Sequence, residues 1–256
     1  MLDKKWLRTP FVMLFRWAET VFNLHGVRVL YRFPQYLRDW INFSRTSKMS
    51  VRIIDSYPCL ADATASTYFD AHYFFQGAWL ARKLSQQQPR KHVDIGSDVN
   101  AVGVISAFVD TMFVDYRPLE VSLKGMENRR GDLLHLEFQE GAIDSLSCLH
   151  VIEHIGLGRY GDPIDPDGAV KAAAELSRVL APHGSLFLSV PVGRERVCFN
   201  AHRVFSPVSV LRMFANLKLQ DSALVDDEGQ FQEHAAPEKM AGCDYGCGMF
   251  HFVKAG

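Results

Sequence analysis

The sequence predicts an α/β fold, with helices on both faces of a mostly parallel seven-stranded sheet and a helical extension ahead of it. Three observations carry this expectation. Short apolar runs alternate with helical stretches from residue 92 onward, at the spacing of strand–helix–strand units. Acidic residues and glycines stand directly after several of those runs, where an open parallel sheet holds its ligand. The 256 residues are 48% hydrophobic and 22% charged, which suffices for a core that needs no disulfide or metal.

From the N-terminus, residues 1–85 read as a helical extension or cap and residues 86–256 as the main domain. Residues 6–43 are aromatic and basic, and Phe11, Leu14, Phe15, Ala18 and Phe22 fall at helical spacing from a start near Pro10. Pro34 and the cluster SRTSKMS (44–50) read as punctuation. Residues 1–50 hold nine Lys/Arg against three Asp/Glu, so a chain of formal net charge −1 has a basic front and an acidic remainder. Two readings of the front stay open. One is a cap packed on the main domain; the other is a segment in peripheral contact with an anionic membrane, anchored by Trp6, Trp17 and Trp40.

STYFDAHYFFQGAWLARKL (66–84) reads as a helix leading into the main domain. HVDIGS (92–97) is a strand, NAVGVISAFV (100–109) a helix and TMFVDYR (111–117) a second strand. A short third strand is expected around Gly131–Leu134, and AIDSLSCLHV (142–151) is the fourth. The helix GAVKAAAELSRVLAP (168–182) has Asp167 as its N-cap and is stopped by Pro182 and Gly184. GSLFLSVPVG (184–193) is the fifth strand, and SPVSVLRMFANL (206–217) is a helix capped by Ser206 with Pro207 in its first turn. LKLQDSALVDD and CGMFHFVKAG close the sheet.

Several function classes recede. Net charge near zero gives no global attraction to nucleic acid. No apolar run reaches the roughly 18 residues of a membrane span, and the charged front does not read as a signal peptide. Five scattered cysteines suit reduced thiols in a cytoplasmic setting. No metal is expected. Cys243 and Cys247 form a lone pair, and His150-x-x-Glu153-His154 would need a helix to act as a zinc motif, whereas it follows a strand pattern. GRYGDPIDPDG (158–168) misses the calcium-loop spacing and reads as an ordered lid, with Arg159 and Tyr160 placed toward an acceptor.

The residues after each strand are the candidate site. Asp94, Gly96, Ser97, Asp98 and Asn100 follow the first strand. Asp115 follows the second, 21 residues beyond Asp94, a spacing that suits a carboxylate accepting from both ribose hydroxyls of an adenosine-type cofactor. Gly131 and Asp132 follow the third, then His150, Glu153 and His154 the fourth. Asn200, His202 and Arg203 follow the fifth on the same edge.

Over roughly 90–195 these segments resemble the class I S-adenosylmethionine-dependent methyltransferases, in HVDIGS, VDYRPLE, GDLLHLEFQEGAIDSLSCLHVIEHI and ELSRVLAPHGSLFLSVP taken in order. HVIEHIGLGRYGDPIDPDG, SVPVGRERVCFNAHRVFSP and YFDAHYFFQGAWLARK further resemble an uncharacterised domain family within that superfamily. The resemblance implies a Rossmann-like methyltransferase fold and S-adenosylmethionine as cofactor. Asp115 would then hold the ribose, Asp132 and Leu133 the adenine, and Asp94, Gly96 and Ser97 the methionine end. It implies methyl transfer to an oxygen or nitrogen of a small-molecule or glycan-type acceptor. His154, His202 and His150 are the candidate bases, and Glu153, Arg159, Tyr160, Asn200 and Arg203 are the candidate substrate or lid residues. One departure stands out: the superfamily's three-glycine loop retains only Gly96, and Asp98 and Asn100 either crowd the pocket or bind the cofactor themselves. That departure keeps a second reading open, a non-catalytic Rossmann-like module that binds a partner or nucleotide. A nicotinamide dehydrogenase fits poorly, because G-x-G-x-x-G is absent.

Overall fold

The computed structural model describes residues 30–117 and 119–256. The expected helix near Pro10 and the anchors Trp6 and Trp17 lie outside the described residues. Two compact units are present, one ending at Tyr68 and one spanning Phe69–Gly256. In the first, helix α1 (Phe33–Thr46) carries Pro34 in its first turn, so this proline starts a helix rather than ending one. Its ring presets the helical φ, and its missing N–H falls where no intrahelical partner exists. Arg32 donates to the carbonyls of Leu60 and Ala63 at 3.2 and 3.0 Å. No described helix is long and apolar enough to cross a membrane.

The second unit opens with α2 (Ala71–Gln87), capped by Asp70, whose carboxylate accepts from the Tyr73 N–H. Trp79, Leu80 and Leu84 are buried from this helix, which belongs to the same unit as the sheet rather than to the extension. There follow β1 (His92–Ile95), α3 (Val99–Ile105), β2 (Thr111–Asp115), β3 (Met126–Arg130), β4 (Ile143–Leu149), α4 (Gly168–Val179) and β5 (Leu180–Val192). A two-stranded hairpin, β6 (Arg196–Cys198) and β7 (His202–Val204), precedes α5 (Pro207–Met213). The chain closes with β8 (Leu217–Val225), β9 (Phe231–Gln232), α6 (Pro237–Met240) and β10 (Gly246–Lys254).

The strand order is β3-β2-β1-β4-β5-β10-β8-β9. Neighbours from β3 to β5 pair in parallel, and β10 runs antiparallel to both β5 and β8. The expected seven strands are present with the two-residue β9 as an eighth. The order reverses between β1 and β4, the topological switch point, where such sheets open a crevice.

Three local expectations need correction. The third strand is Met126–Arg130, not 131–134; it is a polar edge strand, and the glycine and aspartate form the turn after it. Helix α4 ends at Val179, before Pro182, where the Lys254 ammonium donates to the carbonyls of Ser177 and Leu180 at 2.9 and 2.8 Å. Asp167 precedes α4, but its side chain makes no capping bond. Ser206 caps α5 as expected, accepting from the Ser209 N–H at 3.1 Å.

A buried polar chain ties β1 to β4 at the switch point. Asp94, fully enclosed, accepts from the Ser97 N–H at 3.0 Å and from the Ser147 hydroxyl. With its one proton given to Asp94, Ser147 accepts from His92 Nε2–H at 2.8 Å, and His92 Nδ1 accepts from Ser145 at 2.8 Å. Burial holds this imidazole neutral, down at about 3.

The expected lid, 158–168, lies within a loop that runs from residue 155 to the start of α4, and Arg203 fastens this loop from inside. Its guanidinium donates to the carbonyls of Ile155 (2.7 Å), Pro166 (3.2 Å) and Asp165 (3.3 Å). Asp162 accepts from the Gly156 N–H at 2.8 Å, and a Cβ at Gly156 would lie 2.1 Å from the Asp165 carbonyl oxygen. Only glycine fits there, at φ +78°.

Two outcomes follow from these features. Burial raises the Asp94 carboxyl from 3.8 to about 6, against the opposing hydrogen bonds from Ser147 and Ser97. The folded group thus binds its proton more tightly than the unfolded one. Its burden on stability is absent below about pH 4 and complete above about pH 6. Asp94→Asn should therefore gain on the wild type by roughly 2–3 kcal/mol between pH 4 and pH 7 in urea unfolding; a difference independent of pH would refute this. Arg203→Met should leave the sheet folded but expose the lid to limited proteolysis, with first cleavage within 155–167. An unchanged cleavage pattern would show that the lid does not depend on the guanidinium.

Candidate functional site

A cleft lies at the carboxyl ends of β1, β2 and β4, where open parallel sheets hold their ligands. Its walls are largely apolar: Ile95, Val114, Leu133, Val151 and Ile155. Gly96 leaves β1 with φ +65°, and a Cβ there would lie 3.4 Å from Asp115 Oδ2 and from Val151. Glycine at this point keeps the floor open beside the carboxylate. Asp115 Oδ1 accepts from the Arg117 N–H at 2.7 Å, which fixes the carboxylate while Oδ2 is turned toward Gly96. Asp132 holds its turn by accepting from the Leu134 N–H at 2.9 Å, with Leu133 buried between them.

The lid side of the cleft is aromatic and basic. The Arg117 guanidinium lies over the Tyr160 ring at 4.4 Å, and Arg159 over the same ring at 5.2 Å. His154 meets Tyr160 edge to face. His154 Nδ1–H donates to the Ala201 carbonyl at 2.7 Å, so its Nε2 carries the lone pair. Burial lowers this imidazole below its usual value, against the opposing pull of Glu153, and it is neutral near pH 7. His150 differs. Its Nδ1–H donates to Glu153 Oε1 at 2.8 Å and its Nε2 faces Cys247 Sγ at 3.3 Å. Burial alone would lower His150, but Cys247 and Glu153 reverse that and hold it up at about 10, so it is no free base near neutrality.

The structure brings Gly96, Asp115, Asp132, Leu133, His150, His154 and Tyr160 together around the cleft. Other sequence candidates stand elsewhere. Asp94 and Ser97 point into the sheet; Ser97 Oγ accepts from the Leu149 N–H at 3.0 Å. Asp98 neither crowds the cleft nor reaches into it, because it caps α3 by accepting from the N–H groups of Asn100 and Ala101. Asn100 is exposed on α3. Glu153 is enclosed behind His150, and Arg203 fastens the lid. Arg159 also donates to the Ala201 carbonyl at 3.1 Å. Asn200 and His202 belong to the β6–β7 hairpin region, where His202 leans on Tyr245. Tyr116, Arg117 and Val151 line the cleft without having been singled out in the sequence, and Asp162 and Pro163 line it from the expected lid. Arg117 was the most findable, two residues past Asp115 at a strand end.

Residues 120–237 match a family described as Caenorhabditis protein of unknown function, DUF268. The sequence matches none of the curated proteins compared with it. Among solved structures, the YcgJ protein from Bacillus subtilis is similar at 16% identity, covering 72% of this chain and 99% of its own, with a TM-score of 0.52. A putative sarcosine dimethylglycine methyltransferase from Galdieria sulphuraria is similar at 14% identity, covering 71% and 86%, with a TM-score of 0.50. At these identities the likeness is one of fold: the second unit has the Rossmann-like fold seen in methyltransferase structures.

Proposed function

We propose that the chain is an S-adenosylmethionine-dependent methyltransferase acting on an oxygen or nitrogen of a small-molecule or glycan-type acceptor. The observation that carries this reading is the Asp115 carboxylate at the carboxyl end of β2, beside left-handed Gly96 in a largely apolar cleft at the switch point. Those residues fit the adenosine part of the cofactor. Asp115 would accept from the ribose hydroxyls, and Ile95, Val114 and Leu133 would flank the base, with Asp132 at its edge. When bound, the cofactor supplies an electrophilic methyl group on a sulfonium centre.

The chain's own part is positioning and proton handling. Tyr160, held between Arg117 and Arg159, closes the cleft from the lid side and narrows access of water. His154, neutral and with Nε2 free of the Ala201 bond, is placed to take the proton of an acceptor hydroxyl or ammonium. The turn after β1 supports the reading in a second way. Its polar side chains are spent on the fold, Ser97 inward and Asp98 on the helix cap, so they do not fill the cleft.

Calorimetric titration with S-adenosylhomocysteine tests the cofactor site. Saturable binding is expected, weakened at least tenfold in Asp115→Ala, as loss of a charge-assisted hydrogen bond requires. Folded wild-type protein that binds neither this ligand nor S-adenosylmethionine would favour the non-catalytic module instead. With an acceptor in hand, His154→Ala should lower turnover by about 10²–10⁴-fold and leave cofactor affinity unchanged; equal loss of both would make His154 a binding residue.

A further inference from the structure

We propose that His72, His150 and Cys247 form a zinc site behind the cleft, which His150 alone of the three lines, with Glu153 holding His150 in the ligating orientation. The inference does not rest on methyl transfer. One ligand atom from each residue lies within 4.8 Å of the other two, the one such grouping of metal-binding side chains among the described residues. They come from three elements, α2, the turn after β4, and β10, which the sequence separates widely.

The geometry suits a tetrahedral ion. Zn–S of about 2.3 Å and Zn–N of about 2.0–2.1 Å put neighbouring ligand atoms roughly 3.5 Å apart. His150 Nε2 and Cys247 Sγ already stand 3.3 Å apart. The His72 ring lies over His150 with centroids 5.5 Å apart, and Tyr245 lies at 5.3 Å on it. His72 makes these ring contacts and no side-chain hydrogen bond among the described residues, which leaves a ring nitrogen available to an ion.

Glu153 supplies the independent observation. Histidine ligands commonly donate their second N–H to a carboxylate, which fixes the tautomer and aims the other nitrogen at the metal. Fully buried Glu153 does this to His150 at 2.8 Å, and its Oε2 has no hydrogen-bond partner among the described residues. A second positive charge nearby would compensate that enclosed carboxylate.

Two imidazoles and a thiolate are a soft set that selects zinc over magnesium or calcium. Three protein ligands leave a fourth position to water or an acceptor heteroatom, the pattern of reactive rather than closed structural sites. The same Cys247–His150–Glu153 line could be read as a thiol nucleophile with its base and orienting carboxylate. Cys247 is fully enclosed and such a triad has no use for His72, so the metal reading is favoured.

The test uses the full chain, stripped with chelator and titrated with Co²⁺ as a spectroscopic stand-in, then with Zn²⁺. Equimolar uptake with a thiolate-to-cobalt charge-transfer band, displaced by Zn²⁺, is expected. Cys247→Ser should abolish the band, and Glu153→Gln should weaken affinity by about 10–100-fold. Circular dichroism checks that each variant is folded. Should Cys247→Ser not fold, His72→Ala, altered on a half-exposed helix face, gives the decision: unchanged affinity overturns the site. Absence of equimolar uptake by the folded wild type, or a band retained without Cys247, overturns it as well. So does rapid alkylation of Cys247 that added Zn²⁺ fails to slow. None of these readouts involves a methyl donor, so they stand or fall apart from the proposed activity.

Discussion

One enclosed carboxylate organises the centre of this fold. Asp94 sits where the sheet reverses its order, between the parallel strands β1 and β4, with no access to water. An ionised group there is costly unless its oxygens are satisfied. Satisfying them fixes two things together. The bond from the Ser97 N–H sets the turn by which the chain leaves β1, and the bond from Ser147 pins β4 alongside. The crevice above the switch point inherits its floor from that turn, because Gly96 is held between two fixed partners.

This gives the glycine-poor loop a physical account. In a Gly-rich turn the backbone approaches a ligand because nothing projects from it. Here the side chains that replace glycine are directed elsewhere, Asp98 onto the first turn of α3 and Asn100 exposed on that helix, while Ser97 before them accepts from the Leu149 amide. The retained glycine takes a φ of +65°, which strains any other residue, and a Cβ there would stand in contact with Asp115 and Val151. The polar sequence therefore describes a turn with its own internal bonding, compatible with an open cleft.

Much of the fold was legible because burial imposes composition. Strands β1, β2, β4 and β5 are enclosed in the sheet, so they read as apolar runs. Edge strand β3 is Met-Glu-Asn-Arg-Arg with three of its five residues exposed, and no apolar signal marked it. The candidate site was partly legible for a related reason: residues after strands must stand near the crevice, which located Gly96, Asp115, Asp132 and His154. Position along the chain does not say which way a side chain turns. Asp94 and Ser97 stand at the strand end yet face inward, and Arg203, read as a substrate or lid residue, is enclosed beneath the lid and bonded to its carbonyls. His72 and Cys247 were unreadable as a pair with His150, since only the packing of α2 against β10 and the turn after β4 brings them together.

The Arg203 clamp bears on how quickly a ligand can enter. A loop whose carbonyls are gripped by an internal guanidinium reaches the encounter already shaped, so little ordering remains for the bound state. Entry of a ligand then needs no release of these carbonyls. A loop shaped in advance is expected to give association whose rate rises linearly with ligand concentration, without the plateau that a rearranging loop imposes.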